Sequence, residues 1–244
     1  GFEHVLKTEK GCSYNTSIKF LQNVKKITKD CIKRGWLQKD PFANKSLSLK
    51  EVSRPYLNEE ELNRILALEL QIERLERVRD YFLFACFTGL SYADVKKFTR
   101  KEIEITDSGK WIKTRRKKTG GVVFVPILDV AWQIIQKYNP YFEELMPEDP
   151  VLPIMSNQKM NGYLKEIADL AKISKQLSYH IARHTFATTV TMLNGVPIET
   201  VSKMLGHKNI TSTQHYARIV DNKVNKDMKV LAEQLDGKMV LNWS

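Results

Sequence analysis

Hydrophobic residues recur at helical steps along most of this chain, and the exceptions are short. Residues 15–34, NTSIKFLQNVKKITKDCIKR, place Ile18, Leu21, Val24, Ile27, Cys31 and Ile32 three and four positions apart. That spacing predicts an amphipathic helix with one apolar stripe. Its other face is basic, carrying Lys25, Lys26, Lys29 and Arg34, and Gly35 closes it. The stretch 44–55, NKSLSLKEVSRP, keeps no period and ends at Pro55, which reads as a linker. Asn58 and Glu61 then form a capping box ahead of Leu62, Ile65 and Leu66. The nearly continuous apolar run RDYFLFACFTGLSYADVKKF predicts a buried helix ending at Gly89, a turn and a short second helix. Within residues 101–126 the period changes. EIEIT, KWIKTRR and VVFVPI are short β-rich runs divided by Asp107-Ser108-Gly109 and Thr119-Gly120-Gly121, the pattern of a small antiparallel sheet. Beyond Pro126 the pattern is helical nearly to the end, so the fold class is mainly α with one small antiparallel sheet.

The segment 178–217 is punctuated in the same way. Ser178 is placed to cap a helix whose Ala182, Phe186, Val190 and Leu193 face the core. Gly195 and Pro197 end it, Ile198–Leu205 form a short helix closed by Gly206, and the next helix starts near Ser212. At about 100° per residue, His180, Arg183 and His184 fall on the side opposite the apolar positions, an arrangement that presents them outward. His207 follows the glycine cap, and His215 and Tyr216 ride on the last of these helices.

Composition narrows what such a chain does. With 244 residues, 42% of them hydrophobic, a sizeable core is available. The roughly 50 residues before the linker are too few for a core of their own and read as the remnant of a larger helical module. Domains are therefore expected at 1–52 and 56–244, with a C-terminal tail from about residue 228 that either packs in cis or is exchanged with a neighbour. Gly1 in place of an initiator methionine reads as the start of an excised segment. Charge points to a polyanion: 39 Lys and Arg against 28 Asp and Glu give a formal net charge of +11. Duplex DNA is the first such partner, and a merely basic surface is the bland alternative. Three scattered cysteines, Cys12, Cys31 and Cys86, make neither a disulfide framework nor a C-x-x-C site and suit a reducing, cytoplasmic compartment. No apolar run reaches the roughly 20 residues needed to span a bilayer.

Three explanations compete for the histidine cluster. Zinc is disfavoured, because His180 and His184 lack the H-E-x-x-H glutamate and a third ligand in register, and no metal or other cofactor is expected. A helix-turn-helix module would account for short helices on a basic surface. The third, core packing or capping, suffices for any single histidine, but Arg183 with the imidazoles beside a tyrosine points to an anion clamp, in which a guanidinium fork and imidazole donors meet a phosphoryl group. The acidic runs Glu59-Glu60-Glu61 and Glu143-Glu144 read as solvated and not as carboxylates arranged for metal ions.

Taken in order, TGLSYADV, KKTGGVVFVP, HIARHTFAT and LGHKNITSTQHYA resemble the catalytic domain of the tyrosine recombinase or phage integrase family over about residues 56–220. The likeness is nearest to integrases of mobile elements and prophages of Bacteroides-like bacteria. The resemblance implies the DNA breaking-rejoining catalytic fold, with residues 1–52 as part of a helical core-binding domain. It implies Tyr216 as nucleophile, Arg183 and His207 at the phosphate, His180 assisting as base or donor, and Lys118 of the hairpin as proton donor to the leaving oxygen. Asp94 matches an acidic residue supporting the first box, His184 is a further supporting residue, and Lys25, Lys26, Lys29, Arg34, Lys117 and Lys208 are the expected DNA-binding cations. The departure is Ser91, where the family usually has an arginine, although members of the Bacteroides branch also lack it. Arg115, Arg116 and Arg100 are the nearby cations, left unranked by the sequence. The implied function is site-specific DNA recombination through a 3′-phosphotyrosyl link, without ATP or metal. It further implies a homotetramer on double-stranded DNA that is monomeric when free, in the bacterial cytoplasm and on the nucleoid when bound. A non-catalytic DNA binder and a type IB-like topoisomerase are the rival readings.

Overall fold

The computed structural model describes residues 1–50, 52, 54–118, 120–207, 209–217, 228 and 231–233. The chain divides into two compact units, Gly1–Ser53 and Arg54–Ser244.

In the first unit, α1 (Phe2–Thr8) precedes α2 (Tyr14–Lys33), whose N-cap Ser13 accepts the Thr16 backbone N–H. Ile18 and Leu21 are buried with Phe42, but the second half of the predicted stripe is not: Ile27 is 64% exposed. The basic face is also less free than its sequence implies. Lys25 turns back over the Phe42 ring, and Arg34 pairs with Asp30 and lies over Trp36, while Lys26 and Lys29 are exposed. Residues 47–50 are bound along α2 and are no loose linker. Gln22 donates to the Leu47 carbonyl, and Asn15 exchanges two 2.8 Å bonds with the Lys50 backbone.

The second unit is built around α4 (Glu73–Thr88), where Tyr81, Phe82, Phe84 and Cys86 are fully buried. Helices α6 (Asp129–Tyr138), α7 (Asn157–Leu170) and α8 (Tyr179–Thr185) pack against it. α3 (Glu59–Leu66) opens on the predicted capping box. Glu61, read as part of a solvated run, is buried instead, because its carboxylate both closes that box and accepts the Lys175 ammonium at 2.5 Å. α5 (Tyr92–Val95) follows the turn at Gly89. The sheet has the order β1-β2-β3, with β1 (Ile103–Thr106), β2 (Gly109–Arg115) and β3 (Val122–Pro126) all antiparallel. Ile103, Ile112, Val123 and Val125 turn into the core, and on the other face Trp111 stacks on Phe124 at 4.5 Å.

α8 starts at Ser178, but the serine hydroxyl makes no capping bond. The first free N–H, that of Tyr179, goes to Asn161 Oδ1 at 2.8 Å. The single helix expected through Leu193 changes pitch, running through wider π turns over Phe186–Thr191 and a tighter 3-10 turn over Met192–Asn194. Threonine hydroxyls compete for the backbone there: Thr191 Oγ1 donates to the Phe186 and Ala187 carbonyls, and Thr189 Oγ1 to that of Leu57. Gly195, at φ 85°, ends the segment. α9 (Ile198–Met204) and α10 (Thr211–Ala217) complete the described fold. No described helix is long and apolar enough to cross a membrane.

Candidate active site

Four separate stretches of the second unit meet at a cleft of about 450 Å³ lined by Arg54, Arg116, Lys118, His180, Arg183, His207 and Tyr216 among others. Its lining holds four Lys or Arg side chains and no carboxylate. A larger groove of about 750 Å³ in the first unit is lined by Phe2, Leu21, Val24 and Phe42 together with His4 and with Glu3, whose carboxylate is paired with Lys7 and Lys45.

Arg183 projects from α8 and is 2% exposed. Its guanidinium donates to the Gly89 carbonyl at 2.5 Å and to the Leu205 carbonyl, and lies 3.2 Å from His207 Nε2. Gly89 makes this possible. Its φ of 69° ends α4, and a Cβ there would fall 2.5 Å from Phe186. His207 follows Gly206 (φ 61°) at the end of α9, and its Nδ1 pairs with Thr213 Oγ1 at 2.8 Å. That bond fixes the ring so that Nε2 meets Arg183.

Tyr216 comes from α10, is 2% exposed, and shares a 2.8 Å hydrogen bond with His184 Nδ1. The His180 ring stands edge-on to that of His184 at 4.4 Å. The outward presentation read from the helical period therefore holds for His180 alone, which is exposed; Arg183 and His184 are buried. α8 is enclosed on both sides, its apolar side against α4 and its polar side against the Gly89 turn, His207 and Tyr216. A polar stripe can mark a buried polar network as well as a wet face.

The hairpin brings two further cations, Arg116 and Lys118. Arg116 follows β2, donates its N–H to the Gly121 carbonyl at 2.8 Å and accepts from Gly120 N–H at 2.9 Å. Lys118 lies beyond it in the same turn and is exposed. Asp94 anchors the base of this turn: Oδ1 accepts the Lys117 N–H at 2.9 Å, and Oδ2 accepts the Ser91 hydroxyl at 2.7 Å. Arg115 is exposed and not among the cleft residues, and Arg100 lies over Phe142. Lys208 lies outside the described residues, as does most of the tail from about residue 228. Arg54 escapes a reading of the sequence. It stands in an aperiodic stretch just before Pro55, and only its charge, next to a helix start, could draw attention to it.

Burial dominates the electrostatics. It drives His184 down to about 3, helped by His180 and Arg54, and His207 down to about 4, helped by Arg183. His180 moves the same way, through partial burial and then Arg183. Arg183 is lowered to about 10 by burial and then by Arg116, which still leaves it charged at neutral pH. The Tyr216 phenol is raised by burial, against the opposing pull of Arg183 and Arg54. The cleft thus combines fixed positive charge, neutral imidazoles and a neutral phenol. Among the described residues no group of His, Cys, Asp or Glu is arranged to hold a metal ion.

Residues 55–223 match the phage integrase family, and the chain belongs to that family. Among its relatives is the tyrosine recombinase XerD of Staphylococcus saprophyticus, 23% identical over 242 residues that cover 89% of this chain and 76% of that protein. The tyrosine recombinase XerA of Saccharolobus solfataricus is 27% identical, covering 67% of this chain and 56% of its own length. The fold is similar to that of the Tn1549 transposon integrase solved with circular intermediate DNA, with a TM-score of 0.69 at 19% identity over 92% of this chain and 81% of that one.

Proposed function

We propose that this chain performs site-specific DNA recombination, cleaving and rejoining duplex DNA through Tyr216. The observation that carries the assignment is the meeting of Tyr216, Arg183 and His207 in one cation-lined, carboxylate-free cleft. A phenol is a weak nucleophile at neutral pH, so it needs a proton acceptor and a phosphate whose growing charge is neutralised. His184 Nδ1 lies 2.8 Å from the phenol oxygen and is neutral, which suits it to share the phenol hydrogen bond and hold Tyr216 for attack. Burial keeps its pKa near 3, too low for an effective base, so the phenol proton passes to the more exposed His180, whose ring stands edge-on to His184. Tyr216 Oη bonds to phosphorus, and the P–O5′ bond breaks with its electron pair on O5′, which takes a proton from Lys118. The product is a 3′-phosphotyrosyl link and a free 5′-hydroxyl. Attack by a 5′-hydroxyl of another strand reverses these steps, so rejoining needs no ATP.

Arg183, His180 and His207 surround the phosphate in this reading. Residues 1–52 serve as part of a core-binding domain, with Lys26 and Lys29 as its exposed DNA-facing cations, and the tail from about residue 228 is an exchange element in a DNA-bound homotetramer. A non-catalytic binder would share the +11 charge but has no use for a phenol beside Arg183 and His207. The test uses a pool of nicked duplexes with a randomised centre, denaturation, and recovery of protein-DNA adducts. Wild-type protein forms adducts that Tyr216→Phe does not, with duplex affinity nearly unchanged. Tight wild-type binding without any adduct defeats the proposal.

A further inference from the structure

Ser91 stands where the family resemblance places an arginine, and a hydroxyl cannot supply that charge. Arg183 does not replace it alone, since of the five N–H donors of a guanidinium it directs two at the Gly89 and Leu205 carbonyls and sets NH2 against His207. Arg116 is held differently. Among the described residues its Nε is buried without a hydrogen-bond partner and lies 3.8 Å from Asp94 Oδ2, while Cδ packs where a Gly206 Cβ would come within 3.1 Å. Asp94 is in turn oriented by the Ser91 hydroxyl and by the Lys117 N–H of the same turn. The other cations are placed less well. Arg100 donates to the Ile103 carbonyl at 3.1 Å and lies over Phe142, Arg115 does not line the cleft, and Arg54 lines it but is exposed.

We propose that Arg116 supplies the second guanidinium to the scissile phosphate, and that Ser91 and Asp94 are positioning residues that hold it there. The charge missing from residue 91 thus arrives from the β2–β3 turn, two residues before Lys118. Arg116 forms and breaks no covalent bond. It donates N–H to a non-bridging oxygen whose charge grows as Tyr216 attacks, an interaction that strengthens in the transition state.

This inference rests on the function proposed above, and the same full-length protein and nicked duplexes test both. Arg116→Ala is expected to slow adduct formation by about 100-fold or more while duplex affinity falls by less than about 10-fold. Arg116→Lys recovers only part of the rate, because an ammonium lacks the planar fork. The discriminating probe is a duplex carrying a methylphosphonate at the scissile position, whose neutral phosphorus centre removes the need for one cation. On it Arg116→Ala is expected to match wild type within about threefold, a recovery that also shows the variant to be folded. Should Arg116→Ala not fold, Arg116→Gln carries the same comparison. The inference is overturned if the variant cleaves the ordinary phosphodiester nearly as fast as wild type, or if it is equally slow on both substrates. A wild-type protein that forms no adduct removes the function itself, and the inference with it.

Discussion

His184 is buried between Tyr216 and His180, and burial holds its folded-state pKa near 3 against an ordinary value of 6.5. Between those values the unfolded chain binds a proton that the folded chain does not, so the stability His184 contributes is complete above pH 6.5 and drains away as pH falls through that window. By pH 4.5 the loss from this residue is on the order of 1–3 kcal/mol. Urea titrations at pH 7 and 4.5 should show it, and His184→Gln should reduce the difference; an unchanged difference would place the acid sensitivity elsewhere. Lys118 has a separate signature. Lys118→Ala should slow cleavage by about 100-fold on an ordinary duplex but recover on one whose leaving 5′-oxygen is replaced by sulfur, since a thiolate departs without a proton. Equal loss on both substrates would make Lys118 a phosphate contact.

At the level of elements, two glycines of positive φ shape the turns beside the cleft. Gly89 ends α4 in the left-handed region and offers its carbonyl to Arg183, and any Cβ would collide with Phe186 and Leu205. Gly89→Ala combines the left-handed cost with overpacking, a loss of about 2–4 kcal/mol, and it displaces an Arg183 acceptor. Gly120 also has positive φ, 67°, but among the described residues nothing lies within 4 Å of its would-be Cβ, so Gly120→Ala should cost only about 1 kcal/mol. Denaturant midpoints compare the pair, and equal losses would mean that the Phe186 contact relaxes freely.

For the whole molecule, the buried cores of the two units share no residue: one comprises Ile18, Leu21 and Phe42, and the other begins at Leu57. Residues 54–244 alone should therefore unfold with a midpoint close to that of the main transition of the whole chain. A fragment that fails to fold would show that the second unit depends on the first. The net charge of +11 predicts that log affinity for duplex DNA falls linearly with log salt, by about 0.9 for each phosphate neutralised. A salt-independent affinity would contradict a phosphate-dominated interface.

Much of this protein is legible in its sequence because it depends on short-range rules. The Asn58–Glu61 capping box, the glycine-ended helices at Gly89, Gly195 and Gly206, and the three alternating runs of the sheet each follow from hydrogen bonds and dihedral preferences within a few residues. The motifs around Tyr216 and Arg183 are readable through their resemblance to the family's, in order and spacing. Helical period cannot tell whether the polar side of α8 meets water or protein, since both look alike along the chain. Nor can it bring Arg54, Arg116 and Tyr216 together across more than 100 positions of sequence. Those outcomes depend on how α4, the hairpin and α10 pack around α8, and only that packing turns Arg183 inward and leaves Arg116 at the cleft.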